Sequence, residues 1–252
     1  MKIKSKIINN RHEKIISLVE ANGFAKVEDM SKMFNVTPQT IRRDINFLDE
    51  HGLLSRFHGG AELSLSTENV DYRHRKELLF EEKKRIAKKT ASMIEDNKSI
   101  LINIGTTTEY VANELVVHNK KLKIITNNLN VANVMSKKED FQVIVTGGIV
   151  RSKDGGITGE ATVQFIRQFK VDIGIIGISG IDLDGTLLDF DFREVHVART
   201  IIENSRKVYL VTDHSKFGRN AMVRLGSIKE IDTLITDKKP PEQLIEVMNN
   251  SD

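Results

Sequence analysis

The sequence predicts an α/β chain in two parts: a small, mainly helical N-terminal unit ending in a β-hairpin, and a larger, doubly wound, mainly parallel sheet. Three observations carry this. Apolar residues recur at helical spacing between Ile15 and Leu48, then give way to a glycine-centred hairpin pattern. Beyond Glu81, short β-branched runs alternate with helical stretches, the pattern of a sheet covered on both faces. At 252 residues the chain is long enough for a small domain plus one full-sized core.

In the first unit, Ile15, Leu18 and Val19 pattern a helix closed by Gly23, and Val27 to Phe34 pattern a second. Asn35-Val36 is then a tight turn. Thr37 is a good N-cap and Pro38 suits the first helical position, where its missing N–H costs nothing. From that start Ile41, Ile45 and Leu48 recur at i, i+4 and i+7 and form a buried stripe. The opposite side carries Gln39, Thr40, Arg42, Arg43 and Asn46, side chains able to read base edges or hold phosphates. This is the order of a helix-turn-helix. Gly52 then breaks the chain, and Leu53 to Phe57 and Ala61 to Leu63 can pair around His58-Gly59-Gly60, a wing that brings Arg56 and His58 near a DNA backbone. Thr37, Gln39, Thr40, Arg42, Arg43, Asn46, Arg56 and His58 are therefore the candidate contacts to double-stranded DNA, and residues 1–61 the winged helix-turn-helix domain.

Charge agrees. Residues 1–60 hold ten Lys and Arg against seven Asp and Glu, while the other 28 of each cancel, so the whole excess of +3 lies where a polyanion is expected. An ordinary three-helix packing unit with solvated arginines explains the arginines, but not the agreement of cap, turn, wing and charge.

Composition excludes several classes. There is no cysteine, hence neither a disulfide framework nor a thiolate metal site, and the seven histidines lack metal-ligand spacing. No metal or cofactor is expected. The longest apolar segments, such as Val171 to Ile178, are far too short to span a bilayer, so the chain reads as soluble and cytoplasmic, associated with the nucleoid when on DNA. Residues 62–79 change character, with Ser64, Ser66, Thr67 and Asn69 before the run Arg73-His74-Arg75-Lys76-Glu77. This segment reads as a linker whose mixed charges form a solvated helix face.

In residues 80–252 the strand candidates are Ser99 to Ile104, Leu122 to Thr126, Phe141 to Thr146, Val171 to Ile178, Lys207 to Thr212 and Ile231 to Thr236. Ligands of such sheets bind at the carboxyl ends of strands. Those ends carry Gly105-Thr106-Thr107-Thr108, Thr126-Asn127-Asn128, Gly147-Gly148 with Arg151, Gly177-Ile178-Ser179-Gly180 and Asp213-His214-Ser215-Lys216. A Gly-Thr-Thr-Thr turn opening a helix offers backbone N–H groups, hydroxyls and the helix dipole to an anion, with Lys216 and Arg151 as counter-charges. The Walker pattern is absent, and Gly155-Gly156-Ile157-Thr158-Gly159 fails the dinucleotide fingerprint and reads as a flexible loop over the pocket. Asp182, Asp184, Asp189, Asp191 and Glu194 have the wrong spacing for an EF-hand, and either a solvated turn before a helix start or a ligand-contacting role fits them.

The motifs TPQTIRRD, RFHGGA, IGTTTEYVA, ITNNLNVAN, VTGGIVRSKDGGITGEA and VTDHSKFGRNAM, spread over essentially the whole chain, resemble the DeoR family of transcriptional repressors. The resemblance implies a sensor fold like that of ribose-5-phosphate isomerase and oligomeric binding, as a dimer or tetramer, to palindromic operators. It also implies a sugar or polyol phosphate as inducer, with glycerol 3-phosphate indicated by the run IGISGIDLDGTLLDFDFREVHVARTIIENSR. Gly105 to Thr108 then correspond to the phosphate loop, and Glu194 and Lys216 fall where the isomerase keeps its carboxylate base and a lysine. The expected effector residues are Gly105, Thr106, Thr107, Thr108, Asn127, Asn128, Gly147, Gly148, Arg151, Gly177, Gly180, Glu194 and Lys216. A repressor answering to another sugar phosphate, and a sugar-phosphate isomerase using Glu194 as proton shuttle, are the alternatives.

Overall fold

The chain forms two compact units, Met1–Val70 and Asp71–Asp252. A computed structural model describes residues 9–22, 24–51, 53–57, 59–63 and 72–249. Gly23, Gly52 and His58, read above as a helix stop, a chain break and a wing contact, lie outside the described residues, as do residues 64–71 of the linker.

In the first unit α1 (Asn10–Asn22) is followed by β1 (Phe24–Lys26), α2 (Val27–Phe34), α3 (Pro38–Glu50), β2 (Leu54–Phe57) and β3 (Gly60–Leu63). The turn between α2 and α3 is made by Asn35 in the left-handed region, φ 51°, which an asparagine tolerates better than most residues. Thr37 then caps α3, accepting the Thr40 N–H at 3.2 Å, ahead of Pro38. Ile41, Ile45 and Leu48 are fully buried with Ile15, Val19, Met30 and Leu54. A 13-residue helix is marginal alone, and burial of about 1.5–3 kcal/mol per large apolar side chain is what holds it. The wing turns more tightly than expected, because Gly60 already pairs with Phe57. β1, absent from the sequence reading, pairs with β3 and makes the hairpin a three-stranded antiparallel sheet.

The second unit opens with α4 (Tyr72–Glu77) and α5 (Phe80–Met93). Residues 72–79, read above as linker, are thus a helix and a turn of this unit, tied to it by the Tyr72 hydroxyl on Glu109 Oε2 at 2.5 Å. Then come β4 (Lys98–Ile102), α6 (Thr106–Val117), β5 (Leu122–Thr126), α7 (Leu129–Met135), β6 (Phe141–Val145), β7 (Ile149–Val150), β8 (Ile157–Thr158) and α8 (Glu160–Ile166). β9 (Val171–Ile176), β10 (Gly180–Ile181), β11 (Thr186–Asp189), α9 (Phe192–Glu203), β12 (Ser205–Val211), β13 (Val223–Ser227), β14 (Thr233–Ile235) and α10 (Glu242–Asn249) complete it.

All six expected strands lie in one parallel sheet, order β14-β12-β9-β4-β5-β6. The chain winds outward from β4 through β5 to β6, then returns to β9 on the other side and continues to β14. Successive side chains of a strand face opposite ways. Ile100 and Ile102 of β4 accordingly join the core beneath α5, α6 and α7, and Leu101 the core beneath α8, α9 and α10. A second, antiparallel sheet, β10-β11-β13, and the β7–β8 hairpin were not among the expected strands. No described helix is long and apolar enough to cross a membrane, and no group of metal-ligating side chains occurs among the described residues.

Candidate functional site

On the first unit Gln39, Arg42, Arg43, Asn46 and Arg56 are exposed and Thr40 is half-buried, as the helical pattern requires. Thr37 is occupied by the cap, its hydroxyl 2.9 Å from that of Thr40. The wing is tied to α3 by the Arg56 N–H on Asp49 Oδ1 at 3.3 Å and by Arg56 Nη1 on Asn46 Oδ1 at 3.4 Å. Asp44 was not singled out. It sits on the buried side of α3, accepting from Arg11 Nε at 2.5 Å and Arg11 Nη2 at 3.1 Å, with His12 Nε2 at 3.1 Å. Its signal was a carboxylate at i+3 of an apolar stripe. The arrangement is an exposed polar and cationic face on a helix locked from behind.

On the second unit the strand order reverses between β4 and β9, the switch point at whose carboxyl strand ends open α/β sheets bind their ligands. Gly105 follows β4 with φ +146°, a conformation that favours glycine, and starts α6 without a side-chain cap. Thr106 and Thr107 have no side-chain partner among the described residues, while Thr108 spends its hydroxyl on the carbonyls of Asn103 and Gly105, both at 2.8 Å. Gly177, after β9, lies against Thr108 and the carbonyls of Ile104 and Val211, which joins the ends of three strands. Asn127 donates to the Ile157 carbonyl at 3.0 Å and leaves its buried Oδ1 without a partner. Asn128 caps α7 and donates to Glu109 Oε1 at 3.2 Å, a structural task.

The loop read as flexible is pinned. The Asn127 carbonyl accepts the Ile157 N–H at 2.7 Å and the Gly155 carbonyl accepts the Leu129 N–H at 3.0 Å. Gly147 keeps its carbonyl on the Thr162 hydroxyl at 2.8 Å. Gly148 and Gly180 serve close approach: a Cβ at Gly180 would stand 2.2 Å from the Arg219 carbonyl.

Arg151 and Glu194 come together as a pair, in contact through Nη1 and Oε1. Arg151 is also held by Asp154 through Nε at 3.1 Å, with Asp191 at 3.7 Å. It is therefore surrounded by three carboxylates rather than left as a free counter-charge. Of the acidic cluster, Asp182 and Asp184 form the β10–β11 turn, bonding the Leu183 and Thr186 N–H groups, and Asp191 caps α9. Asp189 is set inward on Ser179 at 2.8 Å, and burial raises its carboxyl above the usual range.

Lys216 belongs to a cationic group that the sequence reading missed. Burial, then Arg219, lower it to about 7, with Lys83 and Arg75 adding to the effect and Asp213 opposing it. Lys83 is buried and lowered by that burial to about 8. Asp213 is raised by burial but held below the usual range by Lys216, Ser215 and Lys83. Two charged groups result: Lys83, Lys216 and Arg219 beside Asp213, and Arg151 among Asp154, Asp191 and Glu194, with Arg75 linking them through Asp154 at 4.0 Å and Asp189 acted on by both Arg75 and Arg151. Arg75 lies on α4, Lys83 on α5, and Lys216 and Arg219 between β12 and β13; Lys216 was read at its strand end, but its grouping with the other three depends on the tertiary structure.

A winged helix with an exposed cationic face in one unit and a switch-point cluster of polar and charged side chains in the other are the parts of a transcriptional regulator with a sensor domain. Residues 11–67 match the DeoR-like helix-turn-helix domain, and residues 80–238 match the DeoR C terminal sensor domain. The chain belongs to the DeoR family. It is similar to the glycerol-3-phosphate regulon repressor of Escherichia coli (strain K12), 53% identical over 95% of either chain. Among solved structures, eIF2B delta from Chaetomium thermophilum shares the fold, with TM-score 0.55 at 11% identity over 93% of this chain and 98% of that one. Ribose 5 phosphate isomerase A from Neisseria gonorrhoeae overlaps 54% of this chain and 52% of its own, at TM-score 0.40 and 16% identity.

Proposed function

We propose that this chain is a repressor of genes of glycerol 3-phosphate metabolism, released from operator DNA when glycerol 3-phosphate occupies the switch-point pocket. The observation that carries this reading is a buried cationic group, Lys83, Lys216 and Arg219, together with a second group in which Arg151 is ringed by carboxylates. Such a pocket suits a molecule with a phosphate at one end and hydroxyls at the other. The similarity to the Escherichia coli repressor supports the choice of effector. Thr37, Gln39, Thr40, Arg42, Arg43, Asn46, Arg56 and His58 face the operator, read by a homo-oligomer, dimer or tetramer, on nucleoid DNA in the cytoplasm. Gly105, Thr106 and Thr107 receive the phosphate beside Gly177, with Lys216 as counter-charge and Arg151 and Glu194 toward the hydroxyls. Thr108, Asn127, Asn128, Gly147, Gly148 and Gly180 shape the walls. The effector shifts the protein from its DNA-binding arrangement by its differential affinity for the two states.

The chain is not an enzyme. Glycerol 3-phosphate has no carbonyl and so no acidified C–H for a base to remove, and Glu194 is already engaged by Arg151. The test is Thr107→Phe, which removes a hydroxyl and fills the cradle. Reporter repression should persist while glycerol 3-phosphate accumulates, whereas ordinary induction would put the phosphate elsewhere.

A further inference from the structure

We propose that helix α4, the first described element after the linker, is itself part of the effector site: Arg75 from α4 and Arg219 from the loop before β13 jointly grip the phosphate, so that occupancy tightens α4. This deepens the pocket reading above and rests on it.

Two features point to an anion-binding site. Arg75 Nε and Arg219 Nε are both buried without a hydrogen-bond partner. A buried guanidinium N–H with no acceptor is costly and rare in native structures. Neither Arg219 nor Lys216 forms an ion pair among the described residues, and Arg75 forms a single long one, with Asp154 at 4.0 Å. The buried part of the group, Lys216 and Arg219, is faced by Asp213 and Asp189, the second pushed toward its neutral form by burial, while Asp154 at 4.0 Å attends Arg75 and Glu82 attends Lys83. Burial of mutually repelling cations lowers Lys216 and Arg219 alike. A dianionic phosphomonoester supplies both negative charge and acceptors for the two arginine forks.

The connections of α4 make it responsive. At one end Tyr72 bonds Glu109, and Asn130 Nδ2 reaches the Tyr72 hydroxyl at 3.1 Å. At the other, Lys83 Nζ donates to the carbonyls of Arg75 and Leu78, the latter at 2.6 Å. Lys83 is therefore at once a member of the cationic group and the clasp on the end of α4. Neutralising that group by an anion favours charged Lys83, and a charged Lys83 holds those carbonyls more firmly.

The experiment is calorimetry of the full chain with glycerol 3-phosphate and with inorganic phosphate, on wild type, Arg75→Ala and Arg219→Gln, beside hydrogen exchange of peptides covering 72–79. Both variants, with melting curves checked for folding, should bind at least tenfold more weakly. Phosphate or its ester should slow exchange of 72–79 in wild type and not in Arg75→Ala. Wild-type affinity in a folded Arg75→Ala, or exchange of 72–79 indifferent to saturating ligand, overturns the proposal while leaving the effector reading standing. Binding of inorganic phosphate but not glycerol 3-phosphate, lost in Arg75→Ala, upholds the arginine grip and rejects the named effector. Binding of neither by wild type removes both.

Discussion

Arg42 and Arg43 stand exposed on α3, yet the next residue, Asp44, is buried and claimed by Arg11 and His12. Because Asp44 is already satisfied, the two arginines keep their charge and donors for DNA. Arg43→Ala should weaken operator binding by about 1–3 kcal/mol if it pairs with a guanine edge, with much less loss on scrambled duplex. A phosphate contact instead predicts similar loss on both duplexes and a smaller salt slope. Gel shifts across a salt series separate these, and unchanged affinity on both duplexes takes Arg43 out of the interface.

At the scale of elements, α3 is aimed by what lies behind it. Ile41, Ile45 and Leu48 fix it to the core, and the Asp44 carboxylate fixes its rotation against α1. Asp44→Ala strands His12 and Arg11 without their acceptor and should cost about 1–3 kcal/mol. Urea denaturation of the full chain measures this, and operator affinity should fall with it although Asp44 touches no base. Unaltered stability would mean that apolar packing alone orients the helix. The bounds of α2, the start of α3 and all six parallel strands were legible, because burial imposes a period and caps impose residue types. β10, β11, β13 and the β7–β8 hairpin were not. They are two to five residues long, and long-range pairing rather than local pattern decides them. Arg151 and Glu194 were legible as polar groups at the pocket but not as partners of each other. Arg75 was read into a solvated face because its unmatched buried nitrogen is a property of the tertiary structure alone.

For the whole molecule, the lowered lysines tie stability and effector affinity to pH with opposite sign. Lys216 at about 7 and Lys83 at about 8 both start from 10.5. Between those values and 10.5 the unfolded chain binds more protons than the folded one, so these two groups make the free protein more stable as pH rises from about 7 to 10. A bound phosphate raises Lys216 again. Affinity is then full below about 7 and falls as pH climbs above it, with proton uptake on binding. The second ionisation of a phosphate ester, near pH 6, lies below that window. Melting curves from pH 6.5 to 9.5 with and without glycerol 3-phosphate should converge toward the alkaline end, and a ligand-induced shift constant across that range would contradict the assignment.

The winding of the parallel sheet sets an order of events during synthesis. Its central neighbours must meet across long stretches of chain: Ser99 of β4 donates to Asp172 of β9, 73 residues away. The wing strands, by contrast, pair across a two-residue turn, and β1 needs only the chain up to β3. Closing the longer loops is slow, since their entropy is lost before any contact compensates it. The unit that meets DNA therefore leaves the ribosome first and folds from nearby contacts, while the sheet that listens for the metabolite cannot assemble its centre until β9 has emerged.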